Sequence, residues 1–325
     1  MVDNRGRAGL PWLVADVGGT NARFGWVVDP AQGVQQVQQL PVAGHAEPAD
    51  AVRAYLARLP AGARPRCAAI AVATAVQGDV IELTNSHWRF SRQALQAELG
   101  LETLLVLNDF EALALSLPRL HAQQLRPWGA MPSGQGTLAV IGPGTGLGVG
   151  AVVSTAQGWV ALPGEGGHAT LAPTDDFESA LLQQVRNRFA HVSAERLLSG
   201  IGLPVLHDAV CALAGAPAPG LAAERIVEQG LAGDVLCSRT LDSFCALLGS
   251  FAGNVALTLG ARGGVYIGGG IVPRLGDRFF ASPFRARFEA KGRFQPYLAD
   301  IPTALITDTL AALSGAALAI EQHRG

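Results

Sequence analysis

Lysine is almost missing from this chain. It occurs once, at Lys291, among 24 basic residues, which leaves little room for a lysine-dependent chemistry anywhere else. Cysteine is scarce too: Cys67, Cys211, Cys237 and Cys245 form no Cys-x-x-Cys pair and have no paired histidine spacing of the kind a zinc site needs. They read as reduced core thiols. Neither sign of charge dominates, since 24 basic and 26 acidic residues give a net charge of -2 with no long run of either. That removes the electrostatic footprint expected of a nucleic-acid or anionic-membrane partner. No window approaches about 18 uninterrupted apolar residues, so no membrane span is expected. The opening MVDNRGRAGLPW is charged, and the apolar run after it is broken by Asp16 and glycines, unlike a signal peptide. The expected location is the cytoplasm.

What is present is apolar residue and glycine. With 325 residues, 49% of them hydrophobic, the chain can bury a sizeable core, and its length suits two domains better than one. Residues 10–28 read as strand, glycine turn, strand. Residues 47–60 read as a helix, 66–75 as a buried strand, 80–83 as a short strand, and Ser91 as the N-cap of a further helix. A buried strand at 103–107 runs into a helix at 109–117 that ends before Pro118. The polar, Gly- and Pro-rich stretch 121–136 reads as a connection between domains. A second strand, Gly-Thr turn and strand follow at 137–153, a weak internal repeat of residues 13–28 that suggests two related lobes. Helices are expected at 175–190, 193–198, 202–214, 222–231, 234–260 and 308–323, with strands at GGVYIGGG and 302–306. The fold class is α/β, with mixed sheets flanked by helices.

Three glycine turns follow apolar strands: DVGGTNARFG (16–25), GPGTGLGVG (142–150) and YIGGGIVP (266–273). Glycine lets backbone N–H groups converge on an anion, and a Thr hydroxyl adds a donor. One such turn alone is explained by hairpin geometry; three together point to phosphate binding. Neither the G-x-x-x-x-G-K-[ST] nor the G-x-G-x-x-G pattern is matched. Asp16 beside the first turn either caps that turn or holds Mg²⁺ directly or through water. Asn108 and Asp109 stand at the carboxyl end of a buried strand, where ligands of α/β sheets bind, and Asn and Asp are also favoured as helix caps. A capped carboxylate is held rigidly, as a catalytic base must be. In LPGEGGHATLAP, Glu165 and His168 lie three residues apart on a glycine-rich loop, as an ordinary surface loop, a metal pair or ligands for hydroxyl groups. Glu195, in a first helical turn, either complements a helix dipole or joins them. With Asn85 these short polar groups suit a polyhydroxyl ligand.

In order along the chain, DVGGTNARFG, TNSHWRFS, LNDFEALALSLP, GPGTGLGVG, LPGEGGHA, HVSAERLLSGIGL, GGGIVPR and FEAKGRFQPYLADIP resemble the bacterial glucokinase family, the ATP-dependent non-ROK type within the hexokinase/actin-like superfamily. The resemblance implies two actin-like (ribonuclease H-like) lobes, with residues 1–120 plus 308–325 as the small lobe, 121–307 as the large lobe and an interdomain cleft. It implies transfer of the γ-phosphoryl of ATP to the 6-hydroxyl of glucose at the entry to glycolysis. Asp109 matches the catalytic base. Asn108, Glu165, His168 and Glu195 match the glucose-hydroxyl ligands, and Asn85 and Asp109 join them as candidate sugar-binding residues. Gly18, Gly19, Thr20, Asn21, Gly144, Thr145, Gly146, Gly268, Gly269 and Gly270 match its ATP-binding segments, and Asp16 beside the first turn remains the candidate Mg²⁺ ligand. A homodimer is the expected assembly. Pro143 departs from the pattern, standing where a small residue such as Ala is usual. The Cys-rich zinc motif of ROK kinases is absent, and fewer than fifteen residues precede the first strand, too few for the helix-turn-helix of ROK repressors. The rival readings are a kinase of mannose, fructose or glucosamine, one that accepts polyphosphate, or a sugar-binding sensor without catalysis.

Overall fold

The computed structural model describes residues 9–324 apart from 61 and 63, so the charged opening at residues 1–8 lies outside the described residues. The chain divides into two compact units. The first comprises Met1–Leu120, Val152–Pro163 and Asp308–Gly325; the second comprises His121–Ala151 and Gly164–Thr307.

The first unit is built on the strands β1 (Trp12–Val17), β2 (Asn21–Val27), β3 (Gln35–Pro41), β4 (Cys67–Val72) and, after a short ribbon of β5 (Val80–Glu82) and β6 (Arg89–Ser91), β7 (Thr103–Asn108). The sheet order is β3-β2-β1-β4-β7. β1 and β2 form an antiparallel hairpin, while β1, β4 and β7 run parallel. Every residue of CAAIAV in β4 is buried, as expected of a central parallel strand covered on both faces. Ser91 caps the helix Arg92–Glu98 by accepting from Ala94 N–H. The C-terminal helix Ala311–Arg324 buries Leu313, Ala316 and Ile320 with Trp12, Val14 and Ala69 of the sheet. The segment Val152–Pro163 falls in this unit rather than with the rest of 121–307. Gln322 Oε1 on the C-terminal helix accepts from Trp159 N–H at 2.6 Å.

The second sheet comprises β8 (Leu125–Trp128), β9 (Leu138–Pro143), β10 (Leu147–Thr155), β11 (Gly158–Leu162), β12 (Gly264–Ile267) and β13 (Thr303–Ile306), in the order β11-β10-β9-β12-β13-β8. β9, β12 and β13 are parallel. Its first five places repeat the scheme of the other sheet: a hairpin partner on one side of the founding strand and two parallel strands on the other. The helix Val235–Leu259 is long and apolar enough, by length and composition, to cross a membrane, yet 78% of its most apolar window is buried inside the protein. It is the core helix of this unit, packing Phe244, Leu248 and Phe251 with Phe284 and Phe288. Lys291 donates from Nζ to Ser250 O at 2.8 Å, tying the segment after Glu289 to this helix, and burial pushes its ammonium pKa down.

Two expected elements also differ from the structure. The stretch 121–136 contains β8, which pairs antiparallel with β13 at the sheet edge; Pro127 and Arg126 disguise it, because prolines and charges suit edge strands. Residues 193–198 form turns rather than a helix, with Ser193 Oγ accepting from Arg196 N–H.

Candidate active site

In the first unit β4 lies between β1 and β7, and Val17, Val72 and Asn108 occupy one row across the three strands. The glycine turn after β1, Thr74 after β4 and Asp109 after β7 therefore emerge at one carboxyl edge. Asn108 is the N-cap of the helix Asp109–Ser116. Its Oδ1 accepts from Phe110 N–H at 2.9 Å and Glu111 N–H at 3.3 Å, Glu111 accepts from Asn108 N–H, and Asn108 Nδ2 donates to Thr74 O at 3.1 Å. Of the two sequence readings of Asn108, the cap is thus realised, and one Nδ2 proton remains outside these bonds. Asp109 is half-buried at the first helical position, where its Oδ1 accepts from Phe110 N–H at 2.9 Å.

Within the first turn Gly18 N–H donates to Asn21 O at 3.0 Å. A Cβ on Gly19 would lie 2.5 Å from Asn85 O, so only glycine lets the turn carrying Thr20 lie against Asn85. Asp16 faces Arg23 across the hairpin, with Arg23 Nη1 3.6 Å from Asp16 Oδ2. Burial raises the Asp16 carboxyl pKa and Arg23 opposes that rise. Among the described residues no group of three or more His, Cys, Asp and Glu could hold a metal ion. Asp16 fits Mg²⁺ only as one ligand beside phosphate oxygens and water, the way this ion is usually held, and its incompletely compensated burial suits a cation.

The second unit brings two of its glycine turns together. Ile141 of β9 and Ile267 of β12 are register partners, Gly268 N–H donates to Ile141 O at 2.8 Å, and Ile271 N–H donates to Pro143 O at 3.2 Å. Pro143 closes β9 through its carbonyl. Gly269 has φ +76°, and a Cβ there would run into Pro143 O, so glycine is required. Gly144 N–H donates to Gly146 O at 2.9 Å. Thr145, Gly200, Leu203, Glu224, Gly270 and Arg274 line an adjoining pocket of about 370 Å³. Beside the Gly144–Gly146 turn, His168 Nε2 lies 4.0 Å from Glu165 Oε2 and His168 Nδ1 3.9 Å from Glu195 Oε1. Glu165 and His168 are exposed, whereas the Glu195 side chain is only 24% exposed.

Over residues 13–323 the chain matches the sequence profile of the Glucokinase family. The chain belongs to the glucokinase family. Glucokinase of Chromobacterium violaceum is 53% identical over 316 residues, covering 96% of this chain and 90% of that one. Glucokinase of Neisseria meningitidis serogroup C is 48% identical over 319 residues, covering 98% and 97%. The crystal structure of glucokinase from an Antarctic psychrotroph matches with a TM-score of 0.89 at 37% identity, covering 97% and 99%. The chain is an ATP-dependent hexose kinase with the α/β actin-like fold of its family.

Set against the glucokinase motifs, the first unit groups Asp16, Gly18–Asn21, Asn85, Asn108 and Asp109, and the second groups Gly144–Gly146, Glu165, His168, Glu195 and Gly268–Gly270. Four further residues beside these groups escaped the sequence reading. Arg23 was legible in principle, because a hairpin through Val17–Ala22 pairs it with Asp16. Gly200, whose N–H donates to Gly144 O at 2.8 Å, was signalled only by the glycines of SGIGL before a helix. Glu224 and Arg274, 3.9 Å apart, carry no local signal.

Proposed function

We propose that this glucokinase-family chain transfers the γ-phosphoryl of ATP to the 6-hydroxyl of D-glucose, giving glucose 6-phosphate and ADP, with Asp109 as general base. The observation that carries the reading is the row Val17–Val72–Asn108, which sets a capped carboxylate at the same sheet edge as the glycine turn of Gly18–Asn21. Asp109 takes the 6-hydroxyl proton as the new O–Pγ bond forms and the bond between Pγ and the β,γ-bridging oxygen breaks. The transition state of such transfers is loose, so the remaining groups position and neutralise. Backbone N–H groups of the glycine turns and the Thr20 and Thr145 hydroxyls donate to phosphate oxygens. Asp16 would hold Mg²⁺, directly or through water, and the bound ion would neutralise charge on the phosphates. The pocket beside Thr145 and Gly270 receives the nucleoside.

Asn85, Asn108, Glu165, His168 and Glu195 are the sugar-hydroxyl ligands. An epimer leaves some of these groups unpaired, a larger penalty than an apolar pocket imposes. The four free, buried cysteines suit a reducing cytoplasm, and a homodimer working at the entry to glycolysis is the assembly and role that go with the family motifs. The test is ADP formation across a panel of hexoses and phosphoryl donors. Preference for glucose and ATP supports the reading. Preference for mannose, fructose, glucosamine or polyphosphate, or glucose binding without ADP formation, overturns it.

A further inference from the structure

The two halves of the chemistry in the second unit are joined by a single side chain. Glu195 turns Oε1 toward His168 Nδ1, 3.9 Å away, on the hydroxyl-binding loop. Its other oxygen, Oε2, accepts the Leu147 N–H at 2.8 Å, and Leu147 directly follows the Gly144–Thr145–Gly146 turn. The backbone around Glu195 makes the same connection. Glu195 N–H donates to Gly167 O at 2.9 Å, which fixes the Gly166–His168 turn, while Gly200 N–H donates to Gly144 O at 2.8 Å and Ile201 N–H to Thr145 O at 3.4 Å. The segment Glu195–Ile201 thus braces both turns. A Cβ on Gly146 would collide with Glu195 Oε2, so glycine at 146 is what lets the carboxylate reach the amide.

We propose that Glu195 is a positioning residue for the nucleotide as well as a ligand of the sugar: its carboxylate holds the phosphate turn in place through Leu147 N–H. The proposal rests on the assignment of Glu195 as a sugar ligand and of the Gly144–Gly146 turn to ATP, and it adds that one group serves both. An amide N–H bonded to a charged acceptor is a strong local constraint. Without it the turn that presents Gly144, Thr145 and Gly146 to the triphosphate loses its tie to the segment below, and ATP binding weakens together with glucose binding.

Glu195→Gln and Glu195→Ala separate the roles. Gln keeps an acceptor oxygen for Leu147 N–H, whereas Ala removes it. The experiment measures KM for ATP, Kd for AMPPNP and KM for glucose in both variants. The expected result is that Ala raises the ATP KM and the AMPPNP Kd roughly ten-fold. Gln leaves both within about two-fold, and both variants raise the glucose KM. Gly146→Ala supplies an independent arm, because its methyl group meets the flexible end of Glu195 and displaces the carboxylate. Alone it should reproduce the ATP defect of Glu195→Ala, and in the Glu195→Ala background it should add little. An unchanged ATP KM in Glu195→Ala, or an equal rise in Gln and Ala, overturns the proposal. A glucose KM unchanged in both variants overturns instead the assignment of Glu195 to the sugar.

Discussion

Replacing Asn108 by Ala tests how Asp109, the proposed base, is held. Asn108 Oδ1 is shared by Phe110 N–H and Glu111 N–H, and its Nδ2 ties the start of the helix Asp109–Ser116 to Thr74 O, just past the end of the neighbouring parallel strand. Loss of an Asn cap costs about 1 kcal/mol. Loss of the amide donor, which leaves Thr74 O without this partner, costs about 1 kcal/mol more. The sum of about 2 kcal/mol should appear as a lower urea midpoint for this chain. Asn108→Asp provides the control, because a carboxylate still caps but cannot donate to Thr74 O, so it should recover the capping share alone. Asp109 is the first residue of the capped helix, so fraying of that turn should also lower kcat/KM in Asn108→Ala by about ten-fold or more, a 1 Å misplacement of a catalytic group being expensive. An Asn108→Ala midpoint within error of the parent, with unchanged kcat/KM, would refute the claim that the cap positions the carboxylate.

Further outcomes are expected elsewhere. Asp16→Asn should raise the denaturation midpoint of the unliganded protein at pH 7 while weakening the Mg²⁺-dependent use of ATP proposed above. Burial raises the folded-state pKa of Asp16 above 3.8, so its contribution to stability falls as pH rises past that value, and Arg23 retains Gln39 and the Thr309 carbonyl; a lowered midpoint would contradict this. Burial also pushes the His207 pKa below 6.5, against Asp208 and Asp234, and the ring packs with Thr240, Cys211 and Cys237. Below about pH 6.5 the unfolded chain takes up a proton that the folded one refuses, so stability drops as the pH falls through that window. His207→Gln should flatten the fall in urea midpoint between pH 7 and pH 5, and an unchanged slope would remove His207 from that role. Glu165→Gln and His168→Ala should each raise the glucose KM with a smaller effect on the ATP KM, and a glucose KM equal to the parent's would remove them as sugar ligands.

Much of the first unit was legible because its signals are local. The unbroken apolar run of Cys67–Val72, the Ser91 cap and the glycine turn after Val17 each state their own structure within a few residues. The strands QQVQQLP (Gln35–Pro41), LRPW (Leu125–Trp128) and GWVAL (Gly158–Leu162) were not, since all three lie away from the sheet centres, half-exposed and without clean alternation. Within the candidate site the polar loops were found by residue type, yet their bonds were not. Glu195 read as either dipole complement or ligand, and residues 193–198 are not helical at all. Its hydrogen bond to Leu147, 48 residues earlier, exists only once the sheet and loop have folded. Sequence patterns report periodicity and turn chemistry; they do not report which distant amide a carboxylate meets.

The most direct measurement is glucose binding and turnover in Asp109→Asn, followed by calorimetry and by a coupled ADP assay. Asn keeps the size and one acceptor oxygen of Asp but cannot take the hydroxyl proton. Binding should remain close to the parent while kcat falls by about 10²–10⁴, roughly 3 to 5 kcal/mol in the barrier. Turnover near the parent's, with glucose bound equally well, would contradict Asp109 as the base.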